Sequence, residues 1–222
     1  MGELSHEVCE NYLKEIYRLA QTDVPVKTSR LADALGLSAA SVSEMVRRLD
    51  EQSLVRYQRY RGVTLTAKGQ RRALLVLRRH RLWELFLHDV LGLPRAELHK
   101  HAERLEHATD GDLARYIDRY LGSPDFDPHG HPIPRADGVI AARPTLPLSE
   151  QPEGVALRIA HCVDDSDVEL VAHFEQLGLL PGAEVVMIRR APASGPLTLL
   201  VNDEQECVIG IEAARMLMVE RA

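Results

Sequence analysis

The repeat of the apolar residues changes partway along the chain, and that change restricts the fold to a mixed architecture. Val8, Tyr12, Ile16 and Leu19 recur every three to four residues, the spacing of one helical face. Similar spacing continues to about residue 121. A Pro- and Gly-rich stretch at 123–154 follows, including Pro128-His129-Gly130-His131-Pro132-Ile133-Pro134. It reads as a linker, and His129 and His131 read as linker residues. Beyond it the apolar runs shorten to strand length: Ala156–Cys162, Ala183–Arg190, Thr198–Val201, Glu206–Ile209 and Leu217–Glu220. One short helix, Val168–Leu177, and a Leu179-Leu180-Pro181-Gly182 turn interrupt them. The fold class is therefore mainly α with a β C-terminal part, the latter a small barrel of SH3 type.

Within the helical part, a first helix over about 5–22 is closed by Pro25. Thr28 or Ser29 can cap a short second helix that Gly36 stops, and Ser38 can cap a third reaching Gln52. Two short helices joined by a tight Gly turn are a helix-turn-helix. Leu54–Thr66 then reads as two strands around Gly62, a basic hairpin or wing. A long helix over 67–91 ends in the apolar Leu82-Trp83-Glu84-Leu85-Phe86-Leu87, a surface for dimerisation or for the core. Helices at 95–108 and 110–121 complete this part. The expected domains are a winged helix-turn-helix at 1–73, a helical metal-binding and dimerisation domain at 74–142, and an SH3-like domain at 143–222.

Composition narrows the class. A chain of 222 residues, 45% hydrophobic, can bury a sizeable core. No run reaches the roughly 18 apolar residues that span a bilayer, and Met1–Glu7 shows no signal-like pattern, so the expected compartment is the cytoplasm. Cys9, Cys162 and Cys207 are odd in number and far apart, which excludes a disulfide framework or a CxxC site. Net charge is −6, but residues 1–83 hold 15 Lys+Arg against 9 Asp+Glu, leaving 12 against 24 for the rest. That split, +6 and −12, fits a basic DNA-binding module fused to an acidic partner.

A recognition helix offers its N-terminal residues to major-groove base edges. Here these are Ser38, Ala39, Ala40, Ser41, Ser43 and Glu44, small or polar, with no Arg or Lys to read guanine. Affinity should come largely from phosphate contacts, with Lys27, Arg30, Arg47, Arg48, Arg59 and Arg61 as candidates.

Seven of the ten histidines lie between His80 and His131. His80 and Glu84 are four apart on the long helix, and His99, Glu103, Glu106 and His107 share the next. At about 100° per residue these four fall at roughly 0°, 40°, −20° and 80°, one face. Imidazoles and carboxylates at such spacing suit a divalent metal. Two amphipathic helices with charged outer faces would show the same residues, though six at compatible spacings are more than that reading needs.

Taken together, Glu10-Asn11-Tyr12-Leu13-Lys14-Glu15-Ile16-Tyr17, the helix-turn-helix, Arg79–Glu84, Glu103–His107 and His131-Pro132-Ile133-Pro134 resemble the diphtheria toxin repressor family of iron- and manganese-dependent transcription regulators. The resemblance covers nearly the whole chain. It implies a homodimer that binds metal and then clamps a palindromic operator in double-stranded DNA, with no membrane or small-molecule substrate. It also implies two metal sites per subunit. The primary site would use Asn11, Glu103, Glu106 and His107. The ancillary site would use His80, Glu84 and His99, completed from the SH3-like domain by Cys162 or Asp165, with Asp165 the better ligand for a hard metal.

This chain departs from the family pattern in the primary site. Iron-type members carry a Cys and a Met there, where this chain has Glu103 and Asn11. Manganese-type members have the Glu but usually an Asp at the place of Asn11. An amide oxygen can ligate without charge; Glu10 or a water are the alternatives. An O/N site without thiolate favours Mn(II) first and Fe(II) second. In this reading the metal removes the repulsion between Glu103 and Glu106 and selects the DNA-competent state. Rival readings are a metal-dependent hydrolase, a winged-helix regulator with a non-metal effector and Cys9 as sensor, and a peptide-binding adaptor. The absence of HExxH and GxSxG argues against the first.

Overall fold

A computed structural model describes residues 5–141 and 143–222. Residues 1–4, part of the N-terminal stretch searched for a signal segment, and residue 142, the end of the second expected domain, lie outside them. The chain divides into two compact units. One comprises residues up to Arg79 with Glu106–Asp110 and Pro134–Val139; the other comprises His80–Leu105, Gly111–Ile133 and Ile140–Ala222. These units cut across the 74–142 stretch.

The first unit is a winged helix-turn-helix. Helix α1, His6–Leu19, buries Cys9, Tyr12, Leu13, Ile16 and Leu19, the three-to-four-residue stripe of its sequence. Helix α2, Thr28–Leu35, ends at Gly36, whose φ of +64° is the left-handed stop that glycine adopts without strain. Lys27, not Thr28 or Ser29, is its N-cap, and no side chain caps it. Helix α3, Ala39–Glu51, is capped as expected, with Ser38 Oγ accepting from Ser41 N at 3.1 Å. Val42, Met45, Val46 and Leu49 of α3 share one buried cluster with the α1 stripe and Leu31. Strands β1, Val55–Gln58, and β2, Gly62–Leu65, form the wing in antiparallel register, Val55 opposite Leu65 and Gln58 opposite Gly62. Helix α4, Ala67–Asp89, begins in this unit.

In the second unit the rest of α4 packs with helix α6, Gly111–Tyr120. Leu82, Ala114, Ile117 and Ile133 form a small core against which Trp83, Leu85 and Phe86 lie half-buried. Most of helix α5, Arg95–Glu106, belongs here. The C-terminal part is a six-stranded antiparallel sheet. Its strands are β3 (Leu146–Pro147), β4 (Ala156–Cys162), β5 (Glu184–Arg190), β6 (Leu197–Val201), β7 (Gln205–Ile209) and β8 (Leu217–Arg221), in spatial order β3-β8-β4-β5-β6-β7. Period-2 alternation buries Leu197, Leu199 and Val201 of β6 and Leu217 and Val219 of β8. Helix α7, Val168–Gln176, is N-capped by Asp167, which accepts from Leu170 N. The short helix α8, Ile211–Met216, and β3 went unforeseen because both are too short to show a repeat.

The 123–154 stretch is irregular but is not a free linker. Asp127, Pro128, His129 and Gly130 are all buried. Asp127 Oδ1 accepts from the backbone amides of His129 and His131 at 2.8 and 2.9 Å, folding the segment into a tight Asx turn. Gly130, at φ +85°, closes it; a Cβ there would run into the Ala160 carbonyl oxygen of β4.

Candidate metal centres and DNA-binding surface

The first cluster lies in the unit that carries the recognition helix. Residues 10, 11 and 14 stand on adjacent turns of α1, and Glu106 and His107 close α5. His107 Nε2 is 2.7 Å from Asn11 Oδ1 and 3.3 Å from Glu106 Oε1, and its Nδ1 is 2.9 Å from Glu10 Oε2. When Nδ1 donates to Glu10, Nε2 turns a lone pair toward the Asn11 and Glu106 oxygens. Arg79 donates to Glu10 Oε1 at 2.7 Å, and Lys14 donates to Glu106 Oε1 at 2.8 Å. Burial alone would raise the Glu10 carboxyl; hydrogen bonds from His107 and Arg79 reverse that and hold it below the usual range. Glu10 is thus a buried carboxylate that orients His107, and the sequence had offered it only as a substitute for Asn11. The spacing of Glu10, three residues before Leu13 on the apolar face of α1, was the available signal.

Glu103, the remaining primary-site candidate, lies in the second unit, with Oε1 3.6 Å from His99 Nε2.

The second cluster lies wholly in the second unit. Glu84, fully buried on α4, has Oε1 3.0 Å from His80 Nε2, 3.8 Å from His99 Nδ1 and 3.8 Å from His129 Nδ1. Asp165, in the turn between β4 and α7, approaches from the sheet side. Its Oδ2 is 3.9 Å from His129 Nδ1 and 3.2 Å from His131 Nδ1. Asp127 Oδ2 is 3.7 Å from His131 Nδ1 and 3.4 Å from Arg81 Nε.

The local charges are strongly perturbed. Burial would raise the Glu84 and Asp165 carboxyls; the neighbouring imidazoles hold both well below the ordinary range. Burial opposes protonation of His129, yet Glu84 and Asp165 push it up to about 9. Asp165 likewise raises His131 against burial. Burial raises Asp127, and burial with the charge of His131 beside it pushes His161 down to about 3.

Of the two candidates from the sheet, Asp165 joins the cluster. The Cys162 thiol instead donates to the Asp164 carbonyl at 3.4 Å, and burial pushes it up to about 11. A thiol so held is a poor ligand at neutral pH. His129 and His131, read from sequence as linker residues, are brought into the cluster by the Asp127 turn.

The donor set fits a divalent cation. Among the described residues, Glu84 Oε2 and His129 Nδ1 are buried polar atoms with no hydrogen-bond partner. Such an atom costs about 1–3 kcal/mol unless something satisfies it, and the two residues converge with His80, His99 and Asp165. His129 Nε2 donates to the Arg95 carbonyl at 3.2 Å, which leaves Nδ1 as the nitrogen that would ligate a cation on giving up its proton.

The DNA-facing candidates are on the surface. Lys27, Arg30, Ser38, Ala40, Ser41, Glu44, Arg47, Arg59 and Arg61 are exposed, and Ser43 and Arg48 are half-exposed. Ser38 and Ser41 hydroxyls bond each other at 2.8 Å, so both serve the cap. Arg30 lies 3.7 Å from Asp23. At the wing tip Tyr60 is 91% exposed, with Arg59 stacked over its ring at 4.9 Å. An exposed aromatic next to a cation was not singled out from sequence.

Comparison with known proteins matches three family models in series. These are the iron-dependent repressor N-terminal DNA-binding domain at residues 4–63, the iron-dependent repressor metal-binding and dimerisation domain at 66–135, and the FeoA domain at 146–221. The iron-dependent repressor IdeR of Mycobacterium leprae is 32% identical, with 97% of each chain covered. The chain belongs to the diphtheria toxin repressor family.

This family member is a metal-dependent, DNA-binding transcriptional repressor and not an enzyme. The diphtheria toxin repressor of Corynebacterium jeikeium is 28% identical over 97% of both chains. Among solved structures, a manganese-dependent transcriptional repressor in complex with manganese has a TM-score of 0.89 at 36% identity, covering 96% of this chain and all of that one. The manganese regulator SloR has a TM-score of 0.78 at 30% identity, covering 96% and 98%. Among the described residues no helix is long and apolar enough to cross a membrane.

Proposed function

We propose that this repressor is gated by Mn(II), with Fe(II) second, at two sites per chain, and that it binds a palindromic operator as a homodimer. The domain division is taken as 1–73, 74–142 and 143–222. The primary site uses Asn11, Glu103, Glu106 and His107, and Glu10 positions His107. The ancillary site uses His80, Glu84, His99 and Asp165, with His129 added.

The observation that carries this reading is the position of His107 between Asn11, Glu106 and Glu10, in the same unit as the recognition helix. A bound divalent ion supplies positive charge that neutralises carboxylates and ties its ligands together. Asn11 and His107 then link α1 to the end of α5. Because α1 shares its buried core with α3, the recognition helix is held with it. Two such helices in a dimer must match half-sites about 34 Å apart, so a fixed α1 favours the DNA-competent state. Trp83 and Phe86, edge-on at 5.6 Å, with the exposed Tyr120 5.9 Å from Phe86, supply an aromatic dimer surface. Support for Mn(II) is the O/N donor set without thiolate. Affinity alone would not select it, because manganese stands lowest in the divalent series.

The test is selection of genomic DNA fragments by the purified full chain with Mn(II), with Fe(II) under anaerobic conditions, and with EDTA. A palindrome enriched with Mn(II), at lower metal than with Fe(II), and not with EDTA is the expected result. Equal enrichment in EDTA overturns the metal gating.

A further inference from the structure

The second cluster has more buried, unpartnered ligand atoms than the ancillary site uses. Besides Glu84 Oε2 and His129 Nδ1, Asp127 Oδ2, His131 Nδ1 and His161 Nδ1 lack a hydrogen-bond partner. The metal-competent atoms fall into separate sets. Glu84, His129 and Asp165 form one, with ligand atoms within 4.8 Å of one another; Asp127, His131 and Asp165 form another; the two share only Asp165.

We infer that Asp127, His131 and Asp165 hold a further divalent cation, with Asp165 as the carboxylate shared with the ancillary site. The inference rests on the reading of Glu84, His129 and Asp165 as ligands there.

Three features support it. Asp127 is oriented as a ligand would be: Oδ1 is taken by the His129 and His131 amides, and Oδ2 is turned to His131. Its side chain is fully buried, so an unsatisfied Oδ2 is costly. The spacings also suit an octahedral ion. With bonds of about 2.1 Å, neighbouring ligands stand about 3.0 Å apart and opposite ones about 4.2 Å. The 3.2 Å from Asp165 to His131 and the 3.7 Å from Asp127 to His131 fall between. Finally, Asp165 Oδ2 faces both His129 and His131, held on either side of Gly130. A carboxylate between two ions about 3.5–4 Å apart is the usual bridge of two-metal sites.

Arg81, 3.4 Å from Asp127, bears on affinity. Its fixed positive charge opposes a second cation, so this position fills after the ancillary one. His161, whose ring centroid is 4.9 Å from that of His131, is the nearest further nitrogen donor.

The test is a titration of the metal-free full chain with Mn(II), read by loss of the free-ion electron paramagnetic resonance signal. About three equivalents bind to the wild type, the last most weakly, and about two bind to His131→Leu. Asp127→Asn, which keeps the amide-accepting oxygen and removes the second one, gives the same loss and guards against misfolding of the leucine variant. A low-temperature spectrum of the loaded wild type shows an exchange-coupled Mn(II) pair that both variants lose. Two equivalents in the wild type, one of them lost in Glu84→Gln, overturn the further cation and keep the ancillary site. Equivalents unaffected by Glu84→Gln overturn the ancillary reading itself. Three equivalents retained in both His131→Leu and Asp127→Asn overturn the assignment to these residues.

Discussion

His107 Nε2 lies 2.7 Å from the amide oxygen of Asn11, and the two residues are 96 positions apart in the chain. A neutral amide stands where manganese-type members usually carry a carboxylate, beside a Glu106 already paired with Lys14. The cluster is therefore less negative than three ligand side chains would suggest.

Asn11→Asp adds a charge without changing shape. At an effective dielectric near 20 a carboxylate close to a cation contributes several kcal/mol before desolvation, so Mn(II) affinity at this site should rise about tenfold or more. Calorimetric titration checks it; an unchanged Kd removes Asn11 from the ligand set.

His107→Ala removes the imidazole that faces Asn11, Glu106 and Glu10 together. Mn(II)-stimulated DNA binding, read by fluorescence anisotropy, should be lost while the far-ultraviolet circular dichroism stays that of the wild type. A preserved manganese response would mean that the primary site lies elsewhere.

Arg61 is exposed in the hairpin turn just before β2. As a phosphate contact, Arg61→Ala should weaken all duplexes alike and reduce the slope of log affinity against log salt by about 1. A loss confined to one sequence would move the wing into base reading.

In the second unit Arg143 grips Glu220 with two of its guanidinium nitrogens, Nη2 at 2.7 Å and Nε at 2.8 Å, and its hydrogen bonds hold the Glu220 carboxyl below its ordinary range. The folded protein thus binds this proton less readily than the unfolded chain. The contribution is complete above the unfolded value, about 4.3, and fades as pH falls through the folded one. Glu220→Gln should cost about 0.5–1 kcal/mol at pH 7 and less at pH 3. Urea melts of both proteins at the two pH values measure the difference, and an equal gap at both would dissociate Glu220 from the ion pair.

Local signals determined what is local here. Apolar spacing gave α1 and α3, Gly36 and Ser38 gave the turn and cap between helices, and the alternation of β6 and β8 gave the sheet. The four-residue step from His80 to Glu84 put two ligands on one face, because a helix repeats within a few residues. Tertiary packing decided the rest. Sequence left Cys162 and Asp165 as alternatives; the turn after β4 directs the Asp165 carboxylate toward His129 and bonds the Cys162 thiol to a carbonyl. Sequence read Asp127–His131 as a linker, since Pro and Gly mark a turn without saying what the turn packs on. The fit of Gly130 against the Ala160 carbonyl, thirty residues on, together with Arg81 and Arg95 donating to the Pro132 and Pro128 carbonyls, buries that turn and carries His129 and His131 to Glu84 and Asp165. Spacing along a chain fixes neighbours within one element; which elements meet depends on the surfaces they bury together.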